Sequence, residues 1–212
     1  IYYLFIKKTM KFPEIKIFYN RLIDPFFIGY NKTYHKGGWD KWAAPTTEQV
    51  LLKTRELKKE WKKEETKILT AICEITELEF KRNLIDVHIV SGSPRNMSSP
   101  LIISAHNPTK EFINTITHEL IHKLFTDNAK EKVYPNIFKD MFSDEGVSTQ
   151  SHIIVHAILK YVYLDVLKNE KMLKDNIKKS EKAGDYKKAW KIVEKEGYLN
   201  LIEKFKKNYP LV

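Results

Sequence analysis

The chain has 212 residues, enough for one domain with a sizeable buried core. Its 42% hydrophobic and 12% aromatic content, with only 7 Gly and 8 Pro, excludes a chain dominated by disorder, and the single cysteine, Cys73, excludes an internal disulfide framework. A formal charge of +10 raises nucleic acid or an anionic membrane as partners, but the lysines are interleaved with glutamates, as in Lys58-Lys59-Glu60-Trp61-Lys62-Lys63-Glu64-Glu65. That pattern is a solvated helix face, no nucleic-acid motif accompanies it, and nucleic acid is not expected as a partner. The lone thiol fits a reducing compartment, so a cytoplasmic location is expected. Ile1 to Ile6 is apolar but ends at Lys7 and Lys8, too short for a signal-peptide core or a transmembrane span.

Residues 1–50 form an aromatic-rich segment expected to pack on the core, with Phe12, Phe18, Tyr19, Phe26, Phe27 and Trp39 among its rings and Pro13, Pro25 and Gly37-Gly38 as interruptions. Ile15 to Tyr19 reads as a short strand or the start of a short helix. From Thr46, a plausible N-cap, a long helix is predicted, with Leu51, Leu52, Leu57, Trp61, Ile68, Leu69 and Ile72 as its apolar stripe, running as far as Phe80 with or without a break near Thr66. Ile85 to Val90 alternates apolar and polar residues like a half-buried strand, and Ser91 to Pro100 is a loop. Leu101 to His106 is a second strand.

Asn107-Pro108 then opens a predicted helix reaching Phe125, with Asn107 as cap, Pro108 at the first helical position, and Ile113, Ile116, Leu120 and Leu124 on one face. A short helix is expected over Ile137 to Phe142, and a very apolar one over Val147 to Leu167. His152, His156, Lys160 and Asp165 interrupt the latter, which marks it as a core helix rather than a membrane span. Residues 169–212 read as two or three basic amphipathic helices broken near Gly184 and Gly197, with Trp190, Ile192, Val193, Leu199, Leu201, Ile202 and Phe205 facing inward.

The chemistry concentrates in Thr117-His118-Glu119-Leu120-Ile121-His122, an H-E-x-x-H pattern inside the predicted helix. Residues four apart on a helix share a face, so His118 and His122 can present two imidazoles to one metal ion. Glu119 lies beside that point, where it can take a proton from a metal-activated water, the arrangement of a zinc hydrolase. A catalytic zinc needs a third protein ligand. The extended pattern H-E-x-x-H-x-x-G-x-x-H is absent, because Phe125 and Asn128 stand where its glycine and last histidine belong. Glu145, His152 and His156 compete for the role.

Glu145-Gly146-Val147-Ser148, at the start of the next long helix, resembles the motif of the gluzincin metallopeptidases, whose third ligand is a glutamate on the helix after the H-E-x-x-H helix. The resemblance covers roughly residues 84 to 168. It implies an α+β zincin-like fold: a small mixed sheet, an active-site helix, a glutamate helix and a helical C-terminal part, with residues 51–168 as the metallopeptidase core. It further implies one Zn²⁺ per chain held by His118, His122 and Glu145, with Glu119 as general base. The activity implied is hydrolysis of a peptide bond in a peptide or protein substrate lying along the second strand as a sheet edge. Gluzincins also supply a distant His or Tyr to the oxyanion, for which Tyr134, His152, Tyr198 and Tyr209 are candidates. Thr149 stands where some members carry an Asp that orients a ligand imidazole. The rival expectation is a non-catalytic protein that keeps this scaffold and contacts a partner or an anionic surface through its basic helices.

Overall fold

The computed structural model describes residues 12–34, 42–93, 95–129 and 136–208. The expectations for Ile1 to Ile6, Gly37-Gly38, Trp39, Tyr134 and Tyr209 lie outside the described residues. The chain folds as a mostly helical α+β protein around a four-stranded mixed sheet. In order, the elements are β1 (Glu14–Tyr19), α1 (Asp24–Tyr34), α2 (Thr47–Thr76), β2 (Leu84–Val90), β3 (Met97–Ser98), β4 (Leu101–Ser104) and α3 (Thr109–Asn128). They continue with α4 (Asn136–Met141), α5 (Val147–Tyr161) and its π-helical extension Val162–Val166, then α6 (Glu170–Ser180), α7 (Gly184–Glu196) and α8 (Tyr198–Asn208).

The sheet order is β1-β2-β4-β3. β1 runs parallel to β2 with Ile17 opposite Val87, and β2 runs parallel to β4 with Ile89 opposite Ile103. The two-residue β3 pairs antiparallel to β4, Met97 opposite Ile102. β4 is thus an interior strand with all four residues buried, and among the described residues the edge beside it is β3, inside a stretch expected to be only a loop. A run of three apolar residues, Leu101 to Ile103, suits a strand flanked on both sides better than an edge.

α2 is one unbroken helix of 30 residues. Thr46 accepts from the Gln49 amide at 3.3 Å while the Gln49 side chain accepts from the Thr46 amide at 2.7 Å, a reciprocal capping box. It ends at Glu77, whose φ of 58° is left-handed. Leu57, Trp61, Ile68, Leu69 and Ile72 are buried, whereas Leu51 and Leu52 fall outside the stripe, Leu52 being 58% exposed. On the outer face Lys63 meets Glu60 at 2.6 Å and Lys67 meets Glu64 at 3.2 Å, the interleaved charges reading as a solvated surface.

α3 starts one residue later than its sequence signal. Pro108 is the N-cap, without a capping side chain, and Asn107 instead donates to Asn96 Oδ1 at 2.9 Å, tying the helix start to the loop before β3. The apolar run after Val147 is helical to Tyr161 and then widens, the Leu167 amide reaching the Val162 carbonyl at 2.9 Å. Lys168, at φ 51°, stops it, and Asn169 caps α6 through the Met172 amide at 3.0 Å. The basic tail forms three helices, with Trp190, Val193, Leu201, Ile202 and Phe205 buried and Leu199 half exposed. One continuous apolar cluster runs from Ile17 of β1 through α2, β2, β4, α3 and α5 to Phe205 of α8. No helix among the described residues is long and apolar enough to cross a membrane.

The unanticipated α1 is locked to the end of β2 by polar contacts. The fully buried Asp24 carboxylate accepts from the Ser91 amide (2.7 Å), the Gly92 amide (2.8 Å) and the Ser91 hydroxyl (2.7 Å), while Asn31 donates to the Gly92 carbonyl. A Cβ on Gly92 would lie 2.3 Å from the Ile28 backbone nitrogen, so the helix can approach only because this residue has no side chain. Gly92→Ala is expected to cost about 3 kcal/mol and lower Tm by roughly 6–12 °C in thermal unfolding. An unchanged Tm would show that α1 is not seated on this loop.

Candidate metal centre

His118 and His122 project from one face of α3, their ring centroids 4.9 Å apart. The side of α3 away from the solvent carries Phe112, Ile116, Leu120 and Leu124, all fully buried, so the helix is held against α2, β4 and α5 by the stripe that also aims the histidines. α5 brings His152 to the same place, 5.2 Å from the His118 ring and 5.0 Å from that of His122. One ligand atom from each of His118, His122 and His152 lies within 4.8 Å of the other two. Among the described residues this is the group that could hold a metal ion.

The protonation states fit that role. Burial depresses all three imidazoles, His118 well below its ordinary value, His122 to about 3, and His152 more modestly because its bond to the Ser148 carbonyl and nearby Asp185 oppose the burial effect. Neutral imidazole is the form that ligates. The Nδ1 of His152 sits 2.6 Å from the Ser148 carbonyl oxygen, to which the neutral ring donates, leaving Nε2 with its lone pair free. A three-nitrogen donor set of neutral rings suits zinc among biological cations rather than calcium or magnesium.

Glu145 is placed differently from the expectation. It lies in the turn two residues before α5 begins, and its carboxylate is ion-paired to Lys188 Nζ of α7 at 2.5 Å. Its carbonyl accepts from the Gln150 side chain at 2.7 Å. It is not in the group that shares ligand distance with His118 and His122, whereas His152, the competing candidate, is. His156, one turn further along α5, is fully buried and stacked on Trp190 at 4.5 Å, a core histidine as its apolar neighbours suggest. Its Nδ1 has no hydrogen-bond partner among the described residues.

Glu119 is 9% exposed, and burial raises its carboxyl to about 7. It lines a cleft of about 370 Å³ together with His118, His122, His152, Tyr186 and the edge residues Met97 and Ser98. Tyr186, on α7, was not singled out in the sequence. Its ring lies 4.2 Å from that of His152, and burial together with the Glu119 and Asp185 charges raises its hydroxyl. Nothing local in Asp185-Tyr186-Lys187 marks it, since its position depends on how α7 packs on α5. Of the other oxyanion candidates, Tyr198 donates instead to Asp165 at 2.7 Å. Thr149 donates to Asp185 at 3.3 Å, and His88 bonds Asn20 at 3.0 Å on the sheet.

No protein-family model matches the chain. No curated protein matches it, and no solved structure does. The class shown is therefore set by the molecule itself: an α+β protein with three clustered histidines able to hold a metal ion.

Two outcomes follow. Zinc content of purified protein, measured by elemental analysis, is expected near one per chain in the wild type and in Glu145→Ala, and to fall sharply in His152→Ala; loss in Glu145→Ala with retention in His152→Ala would return the third ligand to the glutamate. In the metal-free protein the depressed histidines bind protons more readily unfolded than folded. Their contribution is complete above about pH 6.5 and is lost as pH falls from there toward about 3, the folded value of His122. The urea midpoint of chelator-treated protein should therefore drop steadily between pH 7 and pH 5.

Proposed function

We propose that the protein is a zincin-like, zinc-dependent peptidase in which His118, His122 and His152 hold the metal and Glu119 is the general base. The observation that carries the reading is the conjunction of the three-histidine cluster with a buried carboxylate on the same cleft, one residue from a ligand. The gluzincin resemblance supports it through the H-E-x-x-H helix followed by a helix that contributes the third group. The proposal departs from that family in the third group itself, a histidine in place of Glu145.

Zn²⁺ bound there would bring the pKa of a water toward roughly 7 and polarise a carbonyl. The chain's own residues do the rest. The Glu119 carboxylate accepts a proton from the attacking water and passes it to the departing amine, and its raised pKa in the metal-free protein reflects how dry its surroundings are. Tyr186 offers a hydroxyl donor in the lining of the cleft, suited to the charge that develops on the carbonyl oxygen. The edge at β3 lies along the cleft, so an extended substrate can pair main chain to main chain with Met97 and Ser98. A cytoplasmic location belongs to the same proposal, Cys73 being a buried free thiol pushed up to about 12.

Glu119→Gln should retain zinc and lose at least about a hundredfold in kcat on any peptide that the wild type cleaves. Tyr186→Phe should lose about a hundredfold in kcat with KM little changed. Glu119→Gln protein that binds zinc and cleaves at the wild-type rate would sink the mechanism. A zinc-loaded wild type inert toward a broad peptide library would favour the non-catalytic, scaffold-retaining alternative.

A further inference from the structure

The metal cleft does not end at Glu119. A second cavity of about 210 Å³ shares Asn96, His118, Glu119 and Tyr186 with the cleft, and a third of about 600 Å³ shares Asn114, Asn176 and Lys179 with the second. The three therefore adjoin through shared wall residues, a channel-like series from the β3 edge, past the histidines, to a groove lined by α3 and α6.

The floor of the middle cavity is chemically oriented. Trp190 Nε1 can only donate, and it donates to Asn176 Oδ1 at 3.0 Å. That turns the Asn176 amide nitrogen toward Asn114 Oδ1, 2.7 Å away, and the Tyr163 hydroxyl, carried in by the π-helical turn after α5, donates to the same oxygen. With its oxygen accepting two hydrogen bonds, Asn114, a lining residue of the cavity, keeps its amide hydrogens to donate. Fully buried His156, with Nδ1 unpartnered, lines it too.

The outer groove is strongly basic. Five lysines line it, Lys110 from α3 and Lys171, Lys178, Lys179 and Lys182 from α6 and the turn after it. Asp175 offsets Lys171 at 2.7 Å and Glu111 offsets Lys179 at 2.5 Å. Among the described residues no carboxylate lies within ion-pair distance of Lys110, Lys178 or Lys182. Like charges gathered along a groove create a potential that attracts anions and weakens with salt. Among the described residues the groove wall carries Met172 but no aromatic ring on which a nucleobase could stack, which favours a peptide over a polynucleotide.

We propose that this channel selects acidic peptides: an Asp or Glu side chain enters the cavity floored by Asn114 and Asn176, and acidic residues beyond it lie over Lys110, Lys178 and Lys182. The inference rests on the peptidase reading for its catalytic meaning, but binding can be tested without turnover. The zinc-loaded Glu119→Gln protein would be titrated, by fluorescence anisotropy, against a labelled peptide rich in Asp and Glu, its Asn/Gln counterpart, and a single-stranded oligonucleotide of equal charge. The acidic peptide should bind roughly tenfold or more tighter than either competitor, and added salt should weaken it. The double substitution Lys178→Glu with Lys182→Glu should remove that advantage, whereas Lys58→Glu with Lys59→Glu, on α2 and outside the channel, should leave it intact. In parallel, wild-type protein would be profiled on a peptide library. Cleavage clustered beside Asp or Glu supports both readings. Cleavage with no acidic preference, or equal binding of the three ligands, overturns the channel's selectivity and leaves the peptidase standing. Selective acidic binding without cleavage of any peptide retains the channel and removes the peptidase. Tighter oligonucleotide binding overturns the proposal in favour of nucleic acid.

Discussion

The packing of α3 against α5 is the constraint on which the rest of the molecule depends. These two helices are joined by a fully buried aliphatic layer, including Ile116, Leu120, Ile154 and Ile158, and at its margin they press four imidazoles together. Imidazoles placed so close cannot all be charged, and their burial holds them neutral. Desolvating several polar rings is unfavourable unless something accepts their lone pairs. The His152 ring finds one partner in the Ser148 carbonyl, which turns its other nitrogen free. A cation shared by three such nitrogens is the simplest source of compensation, and the same apolar layer that builds the core therefore builds a cluster able to hold a metal ion.

That layer also explains why the surrounding polar groups are so definite. Burial raises the Glu119 carboxyl to about 7 in the metal-free protein. Glu145 sits where α7 supplies Lys188, and an ion pair there serves to fasten the N-terminal end of α5. Two glutamates of one chain thus take different parts, one buried on the cleft and one ion-paired to a lysine. Behind Glu119 the relay from Trp190 through Asn176 to Asn114 carries the orientation of a donor from the core of the helical tail to the wall of the channel. The basic tail is therefore part of the site region rather than an appendage.

Much of the fold could be read from residue pattern. The capping pair at Thr46 and Gln49, the alternation of Ile85 to Val90, and the apolar spacing of α3 are local signals, and each element stands within a few residues of where they put it. The elements that escaped were those with no local period. The strand β3 has two residues, and α1 lies in an aromatic stretch whose burial pattern is set by the Asp24 and Gly92 contacts rather than by an amphipathic stripe. The π-helical turn cannot be told from ordinary helix by sequence, because it differs by one residue in the hydrogen-bond ladder.

For the site, the sequence by itself determined the pair His118 and His122 and the carboxylate between them, because spacing along one helix dictates which side chains share a face. It also narrowed the third group to three residues, one just before the following helix and two within it. Choosing among them was beyond it: a helix's own periodicity says nothing of its rotation relative to a neighbour. The packing of α5 between α3 and α7 set that rotation, bringing His152 inward, stacking His156 on Trp190 and leaving Glu145 to Lys188. Tyr186, Asn114 and Asn176 come together from three helices, so only the tertiary structure could show that they face the same space.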